Sequence, residues 1–253
     1  MTAIAAHPPV SILMYHQVGR FASPKAHRAG YCHVRRFAAQ MWYLHAFGYS
    51  VISLEQAYRG LFGQEPLPPR PVVLTFDDGY DNFREYAWPI LRRYGFPATV
   101  FLIAGHLGKP AYWLDDGGHS APLMTAQTVR ALRREGVSFG SHSVNHLRLS
   151  QLDAAAIRRE VFDSKAMLED VLGEAVPDFC YPYGDYDLRV RDAVIEAGYR
   201  LGLTCIRGAA NTADNAFEIP RKAISYGDTL PGYFWKLHMK HARKDRKTAD
   251  PYA

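Results

Sequence analysis

Two adjacent carboxylates follow directly after an apolar segment of the chain. Residues 71–80 read PVVLTFDDGY, in which five strand-forming residues run into Asp77, Asp78 and Gly79. The lack of polar alternation before them predicts a strand that is covered on both faces. A simple turn would explain the aspartates and the glycine. Carboxylates at the end of a buried strand must, however, be solvated, paired or bound to a metal, which makes them candidates for chemistry.

Two histidines form the second candidate group. His142 and His146 occur in the segment SHSVNH, which directly follows another apolar segment. Imidazoles four residues apart on a helical or turn backbone can point the same way, as they do in metal sites. Because the chain has 11 histidines, one such pair can also arise by chance. Their position after a predicted strand favours the metal site.

Two histidines and one carboxylate would leave coordination positions open, which is typical of a catalytic metal site. Only one of the two aspartates needs to bind the metal. The other is then free to act as a base on a water molecule whose pKa the metal lowers towards neutrality. The metal would also offset the repulsion between the neighbouring carboxylates.

The segments that must position these residues alternate between strand-like and helix-like patterns. The predicted strands are 10–18, 49–54, 72–76, 98–105, 137–142, a segment ending within 179–187, and 199–205. The predicted helices are 34–48, 82–95, 125–136, 149–173 and 190–198, with Ser150 or Asp153 as the N-cap of the longest. This order predicts one parallel α/β barrel spanning residues 1–253, with its chemistry where the strands end. A Gly-rich loop at 105–120 is expected at the same face.

The composition excludes several classes of protein. With 253 residues, 48% hydrophobic and 22% charged, the chain can bury a large core. The net charge of +5 permits an anionic partner, but no nucleic-acid motif accompanies it. Cys32, Cys180 and Cys205 form no CxxC pair, which favours a reducing compartment over a disulfide framework or a cysteine zinc site. Without an evident signal peptide or membrane span, a cytoplasmic location is expected.

Three motifs in this order resemble a known family. TFDDG at 75–79 and HSVNH at 142–146 resemble the first two signature motifs of the polysaccharide deacetylases (carbohydrate esterase family four). YPYG at 181–184 is similar to the third, and the resemblance covers residues 10 to 225. It implies a distorted barrel of seven or eight β/α units and hydrolysis of N-acetyl groups on amino sugars, in a glycan or a lipid-linked sugar.

The resemblance also implies roles for particular residues. Asp77 corresponds to the catalytic base, and the backbone N–H of Tyr183 to a donor in the oxyanion hole. Asp78, His142 and His146 correspond to the ligands of a divalent metal, with Zn²⁺ as the first expectation.

Two departures from the family pattern alter the expected site. The third motif usually opens with an arginine that orients the catalytic aspartate, whereas this chain has Cys180 there. The motif is in this respect similar to that of the biofilm poly-N-acetylglucosamine deacetylases, and Arg221 in EIPR is the candidate for the missing guanidinium. The usual LxH motif is absent from a late strand. ILMYH at 12–16 resembles the permuted arrangement of the biofilm subgroup, which implies that His16 is the general acid.

The last part of the chain and the function as a whole leave alternatives open. Residues 234–253 form a basic tail, in which 234–247 interleaves apolar residues with lysines and arginines. This tail is either a solvated terminal helix or a segment that docks on an anionic membrane surface. A non-catalytic carbohydrate-binding relative and a deacylase of a small non-sugar amide are the alternatives to a glycan deacetylase. A phosphatase of the haloacid dehalogenase type would need alternating aspartates after its strand, whereas Asp77 and Asp78 are adjacent.

Overall fold

The computed structural model describes residues 8–22, 24, 27–113 and 122–244. The strands are β1 Ser11–Tyr15, β2 Gln17–Gly19, β3 Tyr31–His33, β4 Ser50–Val51, β5 Pro71–Phe76, β6 Thr99–Leu102, β7 Ser138–Ser141, β8 Asp178–Cys180, β9 Leu201–Arg207 and β10 Ile219–Ala223. The helices are α1 Val34–Ala46, α2 Leu54–Phe62, α3 Trp88–Tyr94, α4 Ala126–Arg134, α5 Ala154–Arg158, α6 Ser164–Leu172, α7 Leu188–Glu196 and α8 Leu230–Met239. None of these helices is long and apolar enough to span a bilayer.

Seven parallel strands close into a barrel. They follow the order β1-β10-β9-β8-β7-β6-β5, and β1 completes the ring by pairing with β5. The closing pair is in register from Ser11 opposite Val72 to Tyr15 opposite Phe76. The short strand β4 lies beside the first residues of β5. The expected barrel of seven or eight β/α units is therefore confirmed, with seven strands in the ring.

Alternation along the strands separates the inside of the barrel from its outer wall. Ile12, Val73, Phe101, Cys180, Leu203 and Ile219 come from six strands and pack in one cluster, as inward-facing residues must. The intervening residues Leu13, Leu74 and Phe76 pack in a second cluster with the helices. Because side chains alternate, Thr75 and Asp77 continue the inward row of β5. The buried strand that was predicted at 72–76 is confirmed, since every residue of β5 is buried.

Three predicted strands are markedly shorter than expected. Of the segment 98–105, only Thr99–Leu102 is strand, because a helical turn at Ala104–His106 follows. The segment 10–18 divides at His16 into β1 and β2, because β1 ends with its partner β5 at the barrel mouth and β2 pairs with β3 instead. The segment 49–54 keeps only two strand residues, because Ser53 is the N-cap of α2. The Ser53 hydroxyl accepts the N–H of Gln56 while the Gln56 side chain accepts the N–H of Ser53, which is a capping box.

The longest predicted helix, 149–173, is also interrupted. Asp153 is its N-cap, whereas Ser150 instead donates its backbone N–H and its hydroxyl to Asp185. Five residues, Arg159–Asp163, form a π-helical turn between α5 and α6, and the helix ends before Gly173 as expected. A second π-helical turn, Phe83–Ala87, begins the segment predicted as the helix 82–95.

Several predicted segments lie partly outside the described residues. Of the loop 105–120, residues up to 113 are described, and Tyr80 forms a β-bridge with Leu123 beyond it. Of the basic tail, α8 and the following residues up to Lys244 are described, and Lys244 forms a β-bridge with Arg207.

Candidate active site

Polar side chains that follow four of the barrel strands meet at the carboxyl end of the barrel. The strands are β1, β5, β7 and β8. The cleft there is lined by His16, Asp78, His146 and Tyr183, with Tyr80 and Trp113 among their neighbours. Asp77, His142 and Arg221 are buried, with His142 against Asp78 and Arg221 against Asp77. All seven residues that the sequence singled out therefore lie at one end of the barrel.

Asp78, His142 and His146 form a compact group of donor atoms. The Nε2 atoms of both histidines lie 3.4 Å from Oδ1 of Asp78, and all three side chains are buried. Four ligands placed tetrahedrally about 2.1 Å from a zinc ion are about 3.4 Å apart. Both Nε2 atoms therefore lie at the distance from Oδ1 that two ligands of one ion would have, and all three donor atoms lie within 4.8 Å of one another.

The hydrogen bonds of this group leave room for a cation. Nδ1 of His142 lies 2.7 Å from the carbonyl oxygen of Cys180, and because a carbonyl only accepts, Nδ1 must carry the proton. In the neutral imidazole that binds metals, Nε2 of His142 then carries a lone pair facing Asp78, whose Oδ1 is buried without a hydrogen bond. Lone pairs that face one another in a buried site need a cation between them. The residues present thus fit a divalent metal, and the carbonyl of Cys180 fixes one ligand from behind.

Burial keeps the His146 imidazole in the form that binds metals. Removal from water lowers the pKa of His146 to about 3, although the nearby Asp78 carboxylate favours the charged form. The ring packs against Trp113 and Tyr183, and each of their ring centroids lies 4.5 Å from that of His146. The side chain is therefore neutral at pH 7 and confined by aromatic contacts.

The backbone around the cleft adopts conformations that residues with a side chain rarely take. Asp78, Ser143, His146 and Tyr183 have φ values of 71°, 65°, 55° and 58°. Such left-handed residues are uncommon outside glycine, and each costs about 1 kcal/mol or more. The surrounding structure must hold them, as the Ser143 hydroxyl does when it accepts the N–H of His146 at 3.1 Å.

Arg221 holds the carboxylate of Asp77 with two parallel hydrogen bonds. Its Nη1 and Nη2 atoms lie 2.8 Å and 2.7 Å from the two carboxylate oxygens. The guanidinium is itself fixed by the carbonyl of Thr204 at 2.9 Å and the hydroxyl of Thr75 at 3.2 Å. Burial alone would raise the pKa of Asp77, but the Arg221 charge outweighs it and holds this pKa below its usual value. The structure thus places the guanidinium of Arg221 against Asp77, the contact for which the sequence named Arg221 as a candidate.

Cys180 contacts both members of this ion pair. Its sulfur is 3.1 Å from Nη2 of Arg221 and 3.6 Å from Oδ2 of Asp77. Burial raises the pKa of this thiol well above its usual value, so it is a neutral S–H group. The Cys180 side chain is short and therefore leaves room beside Asp77. The longer side chain of Arg221, which comes from β10, fills that room.

Strand pairing sets the position of His16. The N–H of Asp77 donates to the carbonyl of Tyr15 at 2.9 Å, one step beyond the last paired residues of β1 and β5. His16 and Asp77 are consequently level at the barrel mouth. The His16 side chain is 5% exposed and lines the same cleft as Asp78.

Tyr183 lies in a tight turn formed by Pro182–Gly184. Gly184 is required there, since its φ is +64° and an added Cβ would lie 2.6 Å from Cβ of Cys205. The guanidinium of Arg148 covers the Tyr183 ring at 4.5 Å, on which His146 also packs. The turn thus fixes the backbone of Tyr183 at the rim of the cleft.

One residue next to the site was missed by sequence reasoning. Glu160 is buried and binds the loop between His142 and His146. The sequence does contain a pattern that could have identified Glu160. At helical spacing, Glu160 lies on the same face as the buried residues Ile157, Val161, Ser164 and Leu168. A carboxylate on such a face is unusual and indicates a buried partner.

Comparison with known proteins gives concordant matches. The family model described as polysaccharide deacetylase matches residues 64–202. YxkH of Bacillus subtilis (strain 168), a provisionally assigned polysaccharide deacetylase, is 29% identical over 217 residues, which cover 85% of this chain and 71% of that protein. The poly-β-1,6-N-acetyl-D-glucosamine N-deacetylase of Staphylococcus aureus (strain MSSA476) is 26% identical over 167 residues. That match covers 62% of this chain and little more than half, 56%, of the staphylococcal protein.

A solved structure is similar over nearly the whole length. The Streptococcus pyogenes deacetylase PplD, determined in complex with acetate, superposes with a TM-score of 0.79 and 28% sequence identity. The superposition covers 91% of this chain and 98% of that one.

Proposed function

The chain belongs to the polysaccharide deacetylase family, and we propose that it hydrolyses the N-acetyl groups of an amino-sugar glycan. The observation that carries the proposal is the Asp77–Arg221 pair beside the Asp78, His142 and His146 group. One carboxylate is oriented and ionised, and the other faces two imidazoles. This division of roles is what a metal-dependent hydrolase requires.

Asp78, His142 and His146 are the residues that would hold a divalent metal, with Zn²⁺ suited to two nitrogens and one oxygen. When bound, such an ion would supply Lewis-acid polarisation of the amide carbonyl and would acidify a water molecule. The orphaned Oδ1 of Asp78 supports this assignment.

Asp77 is assigned as the general base. Oδ2 accepts from Arg221 and faces the Cys180 thiol, whereas Oδ1 accepts one bond from Arg221 and keeps a further lone pair, which can receive the proton of the attacking water. The lowered pKa of Asp77 keeps it ionised, and its bidentate partner keeps it oriented. General-base assistance of this kind contributes about 10²–10⁴-fold to the rate.

His16 and Tyr183 complete the proposed machinery. His16 would donate a proton to the departing amine, which is otherwise a very poor leaving group. The backbone N–H of Tyr183 would donate to the oxygen that becomes negative when the amide carbonyl is attacked. Both residues line the cleft together with Asp78.

The substrate is proposed to be a polymer of N-acetylglucosamine. Trp113, a partly exposed aromatic residue at the cleft, offers an apolar face for a sugar ring. The staphylococcal relative is named for poly-β-1,6-N-acetyl-D-glucosamine, which makes β-1,6-linked oligomers the first substrates to test. A lipid-linked amino sugar is the second candidate.

The test combines mass spectrometry with a matched pair of variants. Purified protein is incubated with Zn²⁺ and with β-1,6-linked or β-1,4-linked N-acetylglucosamine oligomers, lipid-linked N-acetyl sugars or N-acetyl amino acids. The expected result is loss of the mass of one acetyl-for-hydrogen exchange from a glycan. Asp77→Asn should abolish this loss while metal binding survives, and Asp81→Asn, on the nearby surface, should leave it intact.

The outcomes separate the alternatives. Activity only on N-acetyl amino acids would favour a small-amide deacylase, and glycan binding without any mass change would favour a carbohydrate-binding relative. Retained activity in Asp77→Asn would overturn the assignment of the base.

Peripheral contact with an anionic membrane is a separate proposal, supported by the exposed face of α8. Phe234, Trp235 and Met239 are about half exposed, and residues 229–244 contain no acidic residue. Apolar and basic residues on one helix favour an anionic lipid surface. Equal sedimentation of wild type and a Trp235→Ala/Lys240→Ala variant with anionic vesicles would reject the idea. The cytoplasmic location expected from the sequence stays a prediction.

A further inference from the structure

A buried carboxylate outside the cleft binds the loop that carries one of the candidate metal ligands. Glu160 is 4% exposed. Its Oε2 accepts the backbone N–H groups of Val144 and Asn145 at 3.0 Å and 2.8 Å, and its Oε1 accepts Nδ2 of Asn145 at 2.6 Å. Both of these residues lie between His142 and His146. An ionised acceptor makes such bonds stronger than neutral pairs.

The helix that carries Glu160 is fastened to the strand that precedes the same loop. The hydroxyl of Ser164 lies 2.8 Å from that of Ser141, the last residue of β7, and both groups are buried. Ser164 also donates to the carbonyl of Val161 at 2.9 Å. Glu160 lies in the π-helical turn that precedes Ser164, and turns of this kind often mark functional sites. The loop is therefore held at its start by Ser164 and at its middle by Glu160.

The loop needs such support because of its backbone. Ser143 and His146 both have left-handed φ values, which are unfavourable for residues with a side chain. On the opposite side, the Tyr112 hydroxyl donates to the carbonyl of Asn145. Asn145 is thus held at its backbone N–H by a carboxylate and at its carbonyl by a phenol. Release of the carboxylate would let the loop relax and turn Nε2 of His146 away from Asp78.

We propose that Glu160 is a positioning residue for the metal site, which it pre-organises by fixing the Ser143–His146 loop. This inference rests on the proposed role of His146 as a metal ligand. Glu160 does not line the cleft, so its effect must pass through the loop. Its removal should weaken metal binding more than it weakens the chemical step at saturating metal.

The test measures the Kd for Zn²⁺ and for Co²⁺ by competition with a chromophoric chelator. Glu160→Gln and Glu160→Asp are expected to weaken binding about 10–100-fold, as is typical for residues behind metal ligands. The turnover number at saturating metal should recover towards the wild-type value. The matched control is Glu169→Gln on the same helix, whose carboxylate accepts the N–H of Val176 at 3.0 Å away from the site. It should leave both Kd values unchanged, and near-ultraviolet circular dichroism checks the fold of every variant.

The outcomes are distinguishable. Folded Glu160→Gln and Glu160→Asp proteins that bind metal as tightly as wild type would overturn the proposal. An equal loss in Glu169→Gln would also overturn it, because the cause would then be general destabilisation. Absence of metal binding in the wild type would overturn the metal assignment itself, and this inference with it. Should both Glu160 variants fail to fold, Asn145→Ala serves instead. It removes only the hydrogen bond from Nδ2 of Asn145 to Oε1 of Glu160, so a smaller loss of metal affinity is expected.

Discussion

Arg221 on β10 and Asp77 after β5 form a buried, two-bond ion pair across the inside of the barrel. The partners are 144 positions apart in the chain, and their side chains are 0% and 2% exposed. Two parallel bonds fix both the distance and the plane of the carboxylate. The pair therefore positions the proposed base without occupying the cleft.

The first prediction concerns this geometry. Arg221→Lys keeps the charge but cannot bind both oxygens of Asp77, so the base loses its orientation. A misplacement of about 1 Å can cost about 10²-fold in rate, and we expect a fall of that order in kcat with little change in KM. Steady-state kinetics on the glycan measure it.

A second arginine of the chain supplies the control for this prediction. Arg200 also binds a carboxylate, that of Asp178, through two bonds of 2.7 Å and 3.0 Å at the opposite end of β8. Arg200→Lys should leave kcat unchanged. Full activity in a folded Arg221→Lys protein would contradict the positioning role.

The second prediction concerns the proton donor. His16→Ala should lower kcat for an N-acetyl glycan by about 10²–10⁴-fold, since the amine then departs without a proton. Hydrolysis of 4-nitrophenyl acetate should fall far less, because 4-nitrophenolate needs no proton to leave. Equal losses for the two substrates would argue against the assignment of His16 as the acid.

The third prediction concerns removal of the metal. A chelator should abolish activity, and Zn²⁺ should restore it. At a free concentration of 100 times Kd, the ion should stabilise the fold by about 2.7 kcal/mol and raise Tm by about 5–10 °C. Asp78→Asn should lose this rise and Asp77→Asn should keep it, as measured by differential scanning calorimetry. The same rise in both variants would show that Asp78 is not a ligand.

The fourth prediction concerns the pH dependence of stability that a buried lysine causes. Lys222 lies on β10 and donates to the carbonyl of Leu237 on α8. Lys222 is 1% exposed, and burial lowers its pKa to about 8. Between pH 8 and the ordinary lysine value near 10.4, the unfolded chain binds a proton that the folded chain has lost, so stability should rise with pH there. Below pH 8, Lys222 is protonated in both the folded and the unfolded chain. Its unfavourable contribution to the free energy of unfolding therefore no longer changes with pH.

The variant Lys222→Met isolates this contribution. The difference between wild type and variant in the free energy of unfolding should change by about 2–3 kcal/mol from pH 8 to 10.4. Urea denaturation at four pH values measures it. A constant difference across that range would contradict a lowered lysine pKa.

The sequence was sufficient for the parts of the site that are local. The apolar run before Asp77, the spacing of His142 and His146 and the position of His16 after a strand all predicted neighbours at the strand ends. Their convergence follows from the parallel order of the strands. Local patterns were also enough to end helices at Gly95 and Gly173, both of which adopt left-handed φ values.

What the sequence did not reveal depends on packing between distant segments. Arg221 was only a candidate, because its approach to Asp77 requires β10 to lie on the inner wall in a particular register. Glu160 was missed because its partners are backbone N–H groups, which carry no residue-specific signal. Ser150 was a plausible cap that binds Asp185 instead, a choice set by the neighbouring loop.

The closure of the barrel has a consequence for the order of assembly. The candidate metal ligands follow β5 and β7, which are separated only by β6, whereas Arg221 reaches Asp77 only when β10 pairs with β1 across more than 200 residues. Contacts of such long sequence separation are the slow ones to form. A refolding chain should therefore capture the ion before it regains an oriented base, so that metal uptake precedes the return of hydrolysis.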